Sequence, residues 1–199
     1  MTLLLRLIDP DAVSQWTKAE GNGGGLKALA ASPPLWAFSD FQLSQRHGNG
    51  LSLFEVNGLD DARVIAGAFA FRRDKMEGVR TAFIAVKRKM LVQTGLTLTQ
   101  TPGGLHHTFA DKRHLELSVD NILELTSVVS IFMSGDFYMF DGKETGNAAR
   151  TSARKNHFQY EYISSLPSDQ YAERKNLAKF VGEKFAAVKG IPKPAGTHV

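Results

Sequence analysis

Short apolar runs separated by turn residues constrain this chain more than any other feature of its sequence. The runs are five to seven residues long, and most are bounded by glycine, proline, asparagine or aspartate. Segments of that length with such boundaries are typical of strands buried in a sheet. The sequence therefore predicts strands over residues 2–8, 51–56, 81–86, 96–100 and 115–119.

Residues 61–73 fit two different secondary structures. An aspartate can cap a helix, so a helix beginning at Asp60 or Asp61 is one interpretation. A strand that ends at Phe71 is the other. The small and aromatic residues that precede Phe71 favour the strand for the second half of the segment.

Residues 128–140 have the pattern of a β-hairpin. An apolar run over residues 128–133 is followed by Ser134-Gly135-Asp136 and then by a second apolar run. Turn residues between two such runs predict two antiparallel strands joined by a tight turn.

Together these elements predict an α+β fold with a largely antiparallel sheet, an N-terminal helix and a C-terminal amphipathic helix. Asp9-Pro10 supplies a helix cap and a proline at the first helical position, so the first helix extends to about residue 20. Apolar residues at helical spacing predict the closing helix over residues 169–189. We expect one domain over residues 1–199, made of a strand-helix-loop portion (1–58), a sheet-rich core (59–165), the closing helix (166–190) and an extended tail (191–199).

The absence of cysteine excludes several classes of site. Disulfides, thiolate metal sites, thiol nucleophiles and iron–sulfur clusters all need cysteine, and the chain has none. No stretch approaches the ~18 apolar residues that a membrane-spanning helix needs. The apolar start contains Arg6 and is too short for a secretion signal. We therefore expect a cytoplasmic protein without membrane insertion, metal or other cofactor.

Charge is distributed unevenly along the chain. Residues 61–115 carry ten basic and four acidic side chains, a net of +6, and residues 142–199 carry ten and five, a net of +5. Between them, residues 116–141 carry five acidic side chains and no basic one, a net of −5. Clustered Lys and Arg indicate a surface that meets phosphates or an acidic partner. Lys and Arg side chains on ordinary solvated faces, whose aliphatic stems cover apolar surface, give the same pattern.

Two glycine-containing segments fail as phosphate-binding loops. The glycines within residues 21–25 follow a predicted helix, whereas a dinucleotide-binding loop follows a strand. Gly142-Lys143 is followed by Glu144, where a nucleotide-binding loop needs Ser or Thr to hold magnesium. Neither segment predicts a nucleotide site.

The best candidates for chemistry are His106, His107 and His114, because imidazoles titrate near neutral pH. His106 and His107 follow Gly103-Gly104, which lets the backbone approach a ligand. Asp111 is close enough in sequence to orient one of the imidazoles. A structural loop explains the same residues, so the sequence assigns no catalytic residue.

Four segments follow one another between residues 60 and 165: the run 69–75, the strand 81–87, the segment 115–121 and the hairpin 128–140, which leads into a helix. This order resembles the core of the Kiwa anti-phage defence protein B family. The resemblance implies a non-catalytic, DNA-contacting defence subunit that works with partner proteins. It supplies no catalytic residue, and it leaves the first 58 residues unexplained.

The sequence therefore favours a non-catalytic nucleic-acid-binding or anti-phage defence-associated protein. The residues expected to contact nucleic acid are Arg72, Arg73, Lys75, Lys87, Arg88, Lys89, Lys112 and Arg113. If residues 87–89 belong to a strand, their three side chains cannot all lie on the same face of the sheet, because successive side chains alternate between faces.

Two other functions fit the same sequence. The alternating charge blocks can drive self-association or docking on an acidic protein partner. A phosphate-ester hydrolase or nuclease centred on His106 and His107, with Arg113 holding an anionic oxygen, is the third possibility.

Overall fold

The apolar runs of the sequence pair into one six-stranded sheet. The computed structural model describes residues 2–11, 15, 33–43, 50–70, 79–101, 107–155 and 157. Its strands are β1 (Leu3–Ile8), β2 (Gly50–Val56), β3 (Thr81–Lys87), β4 (Leu98–Gln100), β5 (His114–Ser118) and β6 (Asp136–Phe140). Their order across the sheet is β4-β5-β2-β1-β3-β6.

Every strand pairing in this sheet is antiparallel. Leu3 of β1 lies opposite both Val56 of β2 and Lys87 of β3, and Phe54 lies opposite His114 of β5. The two outer pairings, β3 with β6 and β4 with β5, are antiparallel as well. The predicted α+β class with a largely antiparallel sheet is therefore confirmed. Both central strands come from residues 1–58, so that portion is part of the sheet.

Helices cover both faces of the sheet. They are α1 (Leu35–Phe38), α2 (Leu59–Ala70), α3 (Arg88–Val92), α4 (Thr108–Asp111), α5 (Ile122–Met133) and α6 (Gly142–Arg154), and a short 3-10 helix (Ser39–Phe41) follows α1. The 3-10 helix, α3 and α5 bury side chains against the face that carries Leu4, and α2 and α4 do so against the face that carries Leu5. These neighbours enter different cores because successive strand side chains alternate. Helix α6 packs against α2.

The strand predicted for the second half of residues 61–73 is wrong, because residues 59–70 form helix α2. Its buried side chains recur every three or four residues, which places them on one helical face against the sheet. Four of them are Ala62, Ile65, Ala66 and Ala70.

The hairpin predicted over residues 128–140 is wrong in its first arm, which belongs to helix α5. Asn121 Oδ1 accepts a hydrogen bond from the Glu124 amide at 3.0 Å, and Glu124 Oε2 accepts one from the Asp120 amide at 2.8 Å. This reciprocal capping starts a helix. The second arm is confirmed as strand β6.

Two predicted elements lie outside the described residues. They are most of the N-terminal helix to about residue 20 and the whole closing helix over residues 169–189. None of the helices in the described ranges is long and apolar enough to cross a membrane.

Replacing Gly67 by alanine is expected to lower the free energy of unfolding by about 1–3 kcal/mol. A Cβ at Gly67 in α2 would lie 2.7 Å from the Ala148 carbonyl carbon and 2.7 Å from the Ala149 nitrogen of α6. Since these are backbone atoms, the two helices would have to move apart. Urea unfolding measures the loss.

Gly146→Ala in α6 is the matched control. A Cβ there would lie 3.6 Å from Arg150 Nη2, an ordinary contact. Alanine is also the better helix former, so this variant should be as stable as the wild type or more so. Equal unfolding free energies for the Gly67 and Gly146 variants would contradict the close crossing of α2 and α6.

Candidate functional site

Two of the basic groups singled out in the sequence lie at the same end of the sheet. Lys87 ends β3 where β1 begins, opposite Leu3. Arg113 directly precedes β5, and its carbonyl oxygen accepts a hydrogen bond from the Glu55 amide at 2.9 Å. Glu55 Oε2 lies 2.5 Å from Arg88 Nη1. Glu55 therefore contacts two of these basic residues, Arg113 through its backbone and Arg88 through its side chain.

We use the term basic edge for the five described residues at this end of the sheet, Lys87, Arg88, Lys89, Lys112 and Arg113. The chain changes from strand to helix within the first three of them, since β3 ends at Lys87 and α3 begins at Arg88. The Arg88 amide donates to the Thr2 carbonyl oxygen at 3.1 Å, which ties this junction to β1. The alternation of side chains between the two faces of a strand, expected for residues 87–89, therefore does not apply to them.

The two arginines of the basic edge are engaged inside the protein. Arg88 is held by Glu55, and the Arg113 guanidinium lies 3.7 Å from the centre of the Phe109 ring. Arg113 Nη2 also lies 3.6 Å from Asp61 Oδ2. Both guanidinium groups thus have a carboxylate close by.

The three lysines of the basic edge differ from the arginines. Lys87, Lys89 and Lys112 are exposed, and none of them forms an ion pair with the described residues. Their ammonium groups are therefore the charges at this edge that are accessible to a partner.

Four other predicted site residues lie outside the described part of the chain. They are Arg72, Arg73, Lys75 and the candidate catalytic residue His106. Among the described residues there is no group of three or more His, Asp or Glu side chains that could hold a metal ion.

His107 is buried and is only 3% exposed. Its Nδ1 accepts a hydrogen bond from the Ala110 amide at 3.2 Å, which caps helix α4. The His157 ring lies 5.4 Å away, centre to centre. Burial, assisted by His157, lowers the pKa of His107 from 6.5 to about 3. An imidazole with this pKa is neutral at pH 7 and poorly matched to acid–base catalysis there.

Asp111, the residue considered as a partner for an imidazole, is buried at the end of α4. Its amide donates to the His107 carbonyl oxygen at 2.8 Å, within the turn that begins this helix. The hydrogen bonds between these two residues and their neighbours therefore favour a structural role for the turn.

Sequence reasoning missed a second polar cluster, which is centred on Arg6 in β1. Arg6 Nε donates to the Asp40 carbonyl oxygen at 2.8 Å, and Nη1 donates to the Ser52 carbonyl oxygen at 2.9 Å. Burial lowers the pKa of Arg6 to about 10, and the charge of Asp40 opposes that effect. The available signal was an arginine inside an otherwise apolar strand, because a guanidinium is rarely buried without polar partners.

Comparisons of the chain with family models, with curated proteins and with solved structures found no match. The resemblance to the Kiwa family, noted from the sequence, stays a prediction. Part of it depends on the hairpin over residues 128–140, whose first arm is helical.

Acidification is expected to destabilise the protein through His107. The folded-state pKa of about 3 lies below the unfolded value of 6.5, so the unfolded state binds the proton first as the pH falls. The contribution of His107 to stability is complete above about pH 6.5 and falls by up to ~1.4 kcal/mol per pH unit between about pH 6.5 and 3. The pKa of His157 is lowered by burial and by Lys155, so its effect has the same sign.

His107→Asn is the matched variant for this test. Asparagine can cap α4 through its side-chain oxygen but does not titrate. Between about pH 7.5 and pH 5, wild-type protein should lose about 2 kcal/mol more unfolding free energy than the variant, as measured in urea. An equal loss in both proteins would contradict the lowered pKa of His107.

Proposed function

We propose that this protein binds nucleic acid through the basic edge and carries out no chemistry there. One observation carries the proposal: Glu55 contacts both Arg88 and Arg113, so cations from two separate parts of the sequence are concentrated at one end of the sheet. Phosphates are the natural partners of such a concentration of positive charge, because each neutralised phosphate releases counterions.

The chemistry of the accessible side chains favours contacts to the phosphate backbone. Lys87, Lys89 and Lys112 present compact ammonium groups, which act as point charges. An arginine can recognise guanine through a pair of hydrogen bonds. In this protein, however, Arg88 is already paired with Glu55, and Arg113 lies beside Asp61. Binding should therefore depend little on base sequence.

The resemblance to the Kiwa family supports DNA as the nucleic acid and anti-phage defence as the setting. A subunit that holds DNA by its backbone and leaves chemistry to a partner protein is consistent with what that resemblance implies.

A second candidate is docking of the basic edge on aspartates of another copy. Asp9, Asp120 and Asp141 follow the ends of β1, β5 and β6, at the end of the sheet away from the basic edge. Contacts between the lysines of one copy and these aspartates of the next would give a head-to-tail association that weakens with salt.

Fluorescence anisotropy with a labelled DNA duplex across a salt series tests the first proposal. Lys87→Ala, Lys89→Ala and Lys112→Ala should each reduce the slope of log K against log salt by about 0.9, the value expected for one lost phosphate contact. Lys143→Ala is the matched control, because Lys143 is exposed in α6 at the other end of the sheet. Its slope should equal that of the wild type.

Three results would contradict binding through the basic edge. They are no binding at low salt, binding without a salt slope, and an equal loss for the Lys143 control. Light scattering without nucleic acid tests the second candidate, which requires an oligomer that dissociates as salt is added.

A further inference from the structure

Strand β6 forms one edge of the sheet. β3 pairs with one side of it, and no strand in the described part of the chain pairs with the other. An edge strand presents backbone N–H and C=O groups to which another strand can hydrogen-bond. Proteins commonly block such edges with lysine, with proline or by keeping the strand very short. β6 has five residues, Asp136–Phe140, and contains neither lysine nor proline.

The opposite edge of the sheet differs in both length and polarity. β4 has only three residues, and its last two, Thr99 and Gln100, are exposed and polar. In β6 the one charged residue is Asp136 at its start, and Met139 is an apolar side chain that is 55% exposed. β6 is therefore the edge whose apolar side chains a further strand would cover.

The side chains of β6 are self-complementary in one antiparallel register. Residue numbers rise along one strand as they fall along its antiparallel partner. With Tyr138 opposite Tyr138 of a second copy, Phe137 lies opposite Met139, and Asp136 lies opposite Phe140. This register gives aromatic and apolar cross-strand pairs and keeps the two aspartates apart. A twofold axis through the tyrosine pair generates every other contact twice.

Charge complementarity supports a second copy as the partner in this register. Asp136 and Phe140 lie on the sheet face that α2 covers, because they pair with β3 residues of that face. The Arg63 guanidinium of α2 lies 5.8 Å from the centre of the Phe140 ring, and its side chain is 37% exposed. Asp136 of a second copy, placed opposite Phe140, would therefore lie beside Arg63.

This ion pair can form only between copies. Within one chain, Asp136 and Phe140 are at opposite ends of β6, about 13 Å apart for four residues of strand. Arg63 already contacts Asp60, whose Oδ1 lies 2.7 Å from Arg63 Nη1. A guanidinium has five N–H donors, so it can hold both carboxylates.

We propose that two copies of this chain associate through β6, which pairs with itself in antiparallel orientation and joins the two sheets into one. The Tyr138 side chains meet at the twofold axis, and Asp136 of each copy pairs with Arg63 of the other. One pair of short strands buries less than about 1,200 Å², the size of transient interfaces, so we expect a dissociation constant on the order of 10–100 μM.

Sedimentation velocity of the full chain over about 5–500 μM tests the proposal, because this range brackets the expected dissociation constant. A twofold interface is satisfied in a dimer, whereas head-to-tail docking of the basic edge leaves both ends able to add further copies. The result expected is a reversible equilibrium between monomer and dimer. A monomer at every concentration, or growth beyond a dimer as concentration rises, would overturn the proposal.

Met139→Lys tests whether β6 is the surface involved. Lysine on an edge strand opposes pairing, and here it would face Phe137 of the second copy, so the dissociation constant should rise by at least about tenfold. Val92→Lys is the matched control, because Val92 in α3 is also 55% exposed and does not belong to β6. Both variants should unfold at the same temperature as the wild type. Equal dissociation constants in the two variants would overturn the proposal.

A charge exchange tests the register. Asp136→Lys and Arg63→Glu each bring like charges together in the dimer, so each should raise the dissociation constant by about three- to tenfold. The two substitutions in the same chain restore opposite charges across the interface, and the dissociation constant should return to within about threefold of the wild type. No effect of either single variant, or a double variant that dimerises as weakly as the weaker single variant, would show that β6 does not pair in this way.

Discussion

Alternation of strand direction is the constraint on which the rest of the structure depends. β1 lies in the middle of the sheet and is antiparallel to both β2 and β3. With the remaining pairings also antiparallel, the end of β3 and the start of β5 must fall at the same end of the sheet. The basic edge is the direct result, and Glu55 joins its two halves because β2 lies beside β5 and ends there.

The same alternation separates two polar regions with different chemistry. The basic edge presents exposed lysines, whereas the opposite end places Arg6 and Asp40 around a cavity. Two apolar clusters, one on each face of the sheet, lie between these regions. The exposed lysines and the cavity therefore lie at opposite ends of the sheet.

The sequence predicted most of the described strands, but it also predicted strands in two segments that form helices α2 and α5, for a physical reason. Short bounded runs such as residues 115–119 leave little choice of structure, but the run 128–133, which is apolar except for Ser130, suits a buried strand as well as a buried helix. The helix is decided by the cap at Asn121 and by packing on the sheet, which only the fold shows. The sequence likewise showed clustered lysines, but whether they lie at one edge depends on the order of the strands. The partners of Arg6 could not be predicted either, because they are brought to it only by the packing of residue Asp40 against β1.

Lysine footprinting tests the central claim most directly. Full-length protein is acetylated with and without a DNA duplex at low salt, and the modification rate of each lysine is read by mass spectrometry. Binding through the basic edge predicts that DNA slows modification of Lys87, Lys89 and Lys112 together, while exposed Lys143 reacts at an unchanged rate. Equal protection of Lys143, or protection of Lys87 and Lys89 without Lys112, would contradict a single binding surface at the end of the sheet.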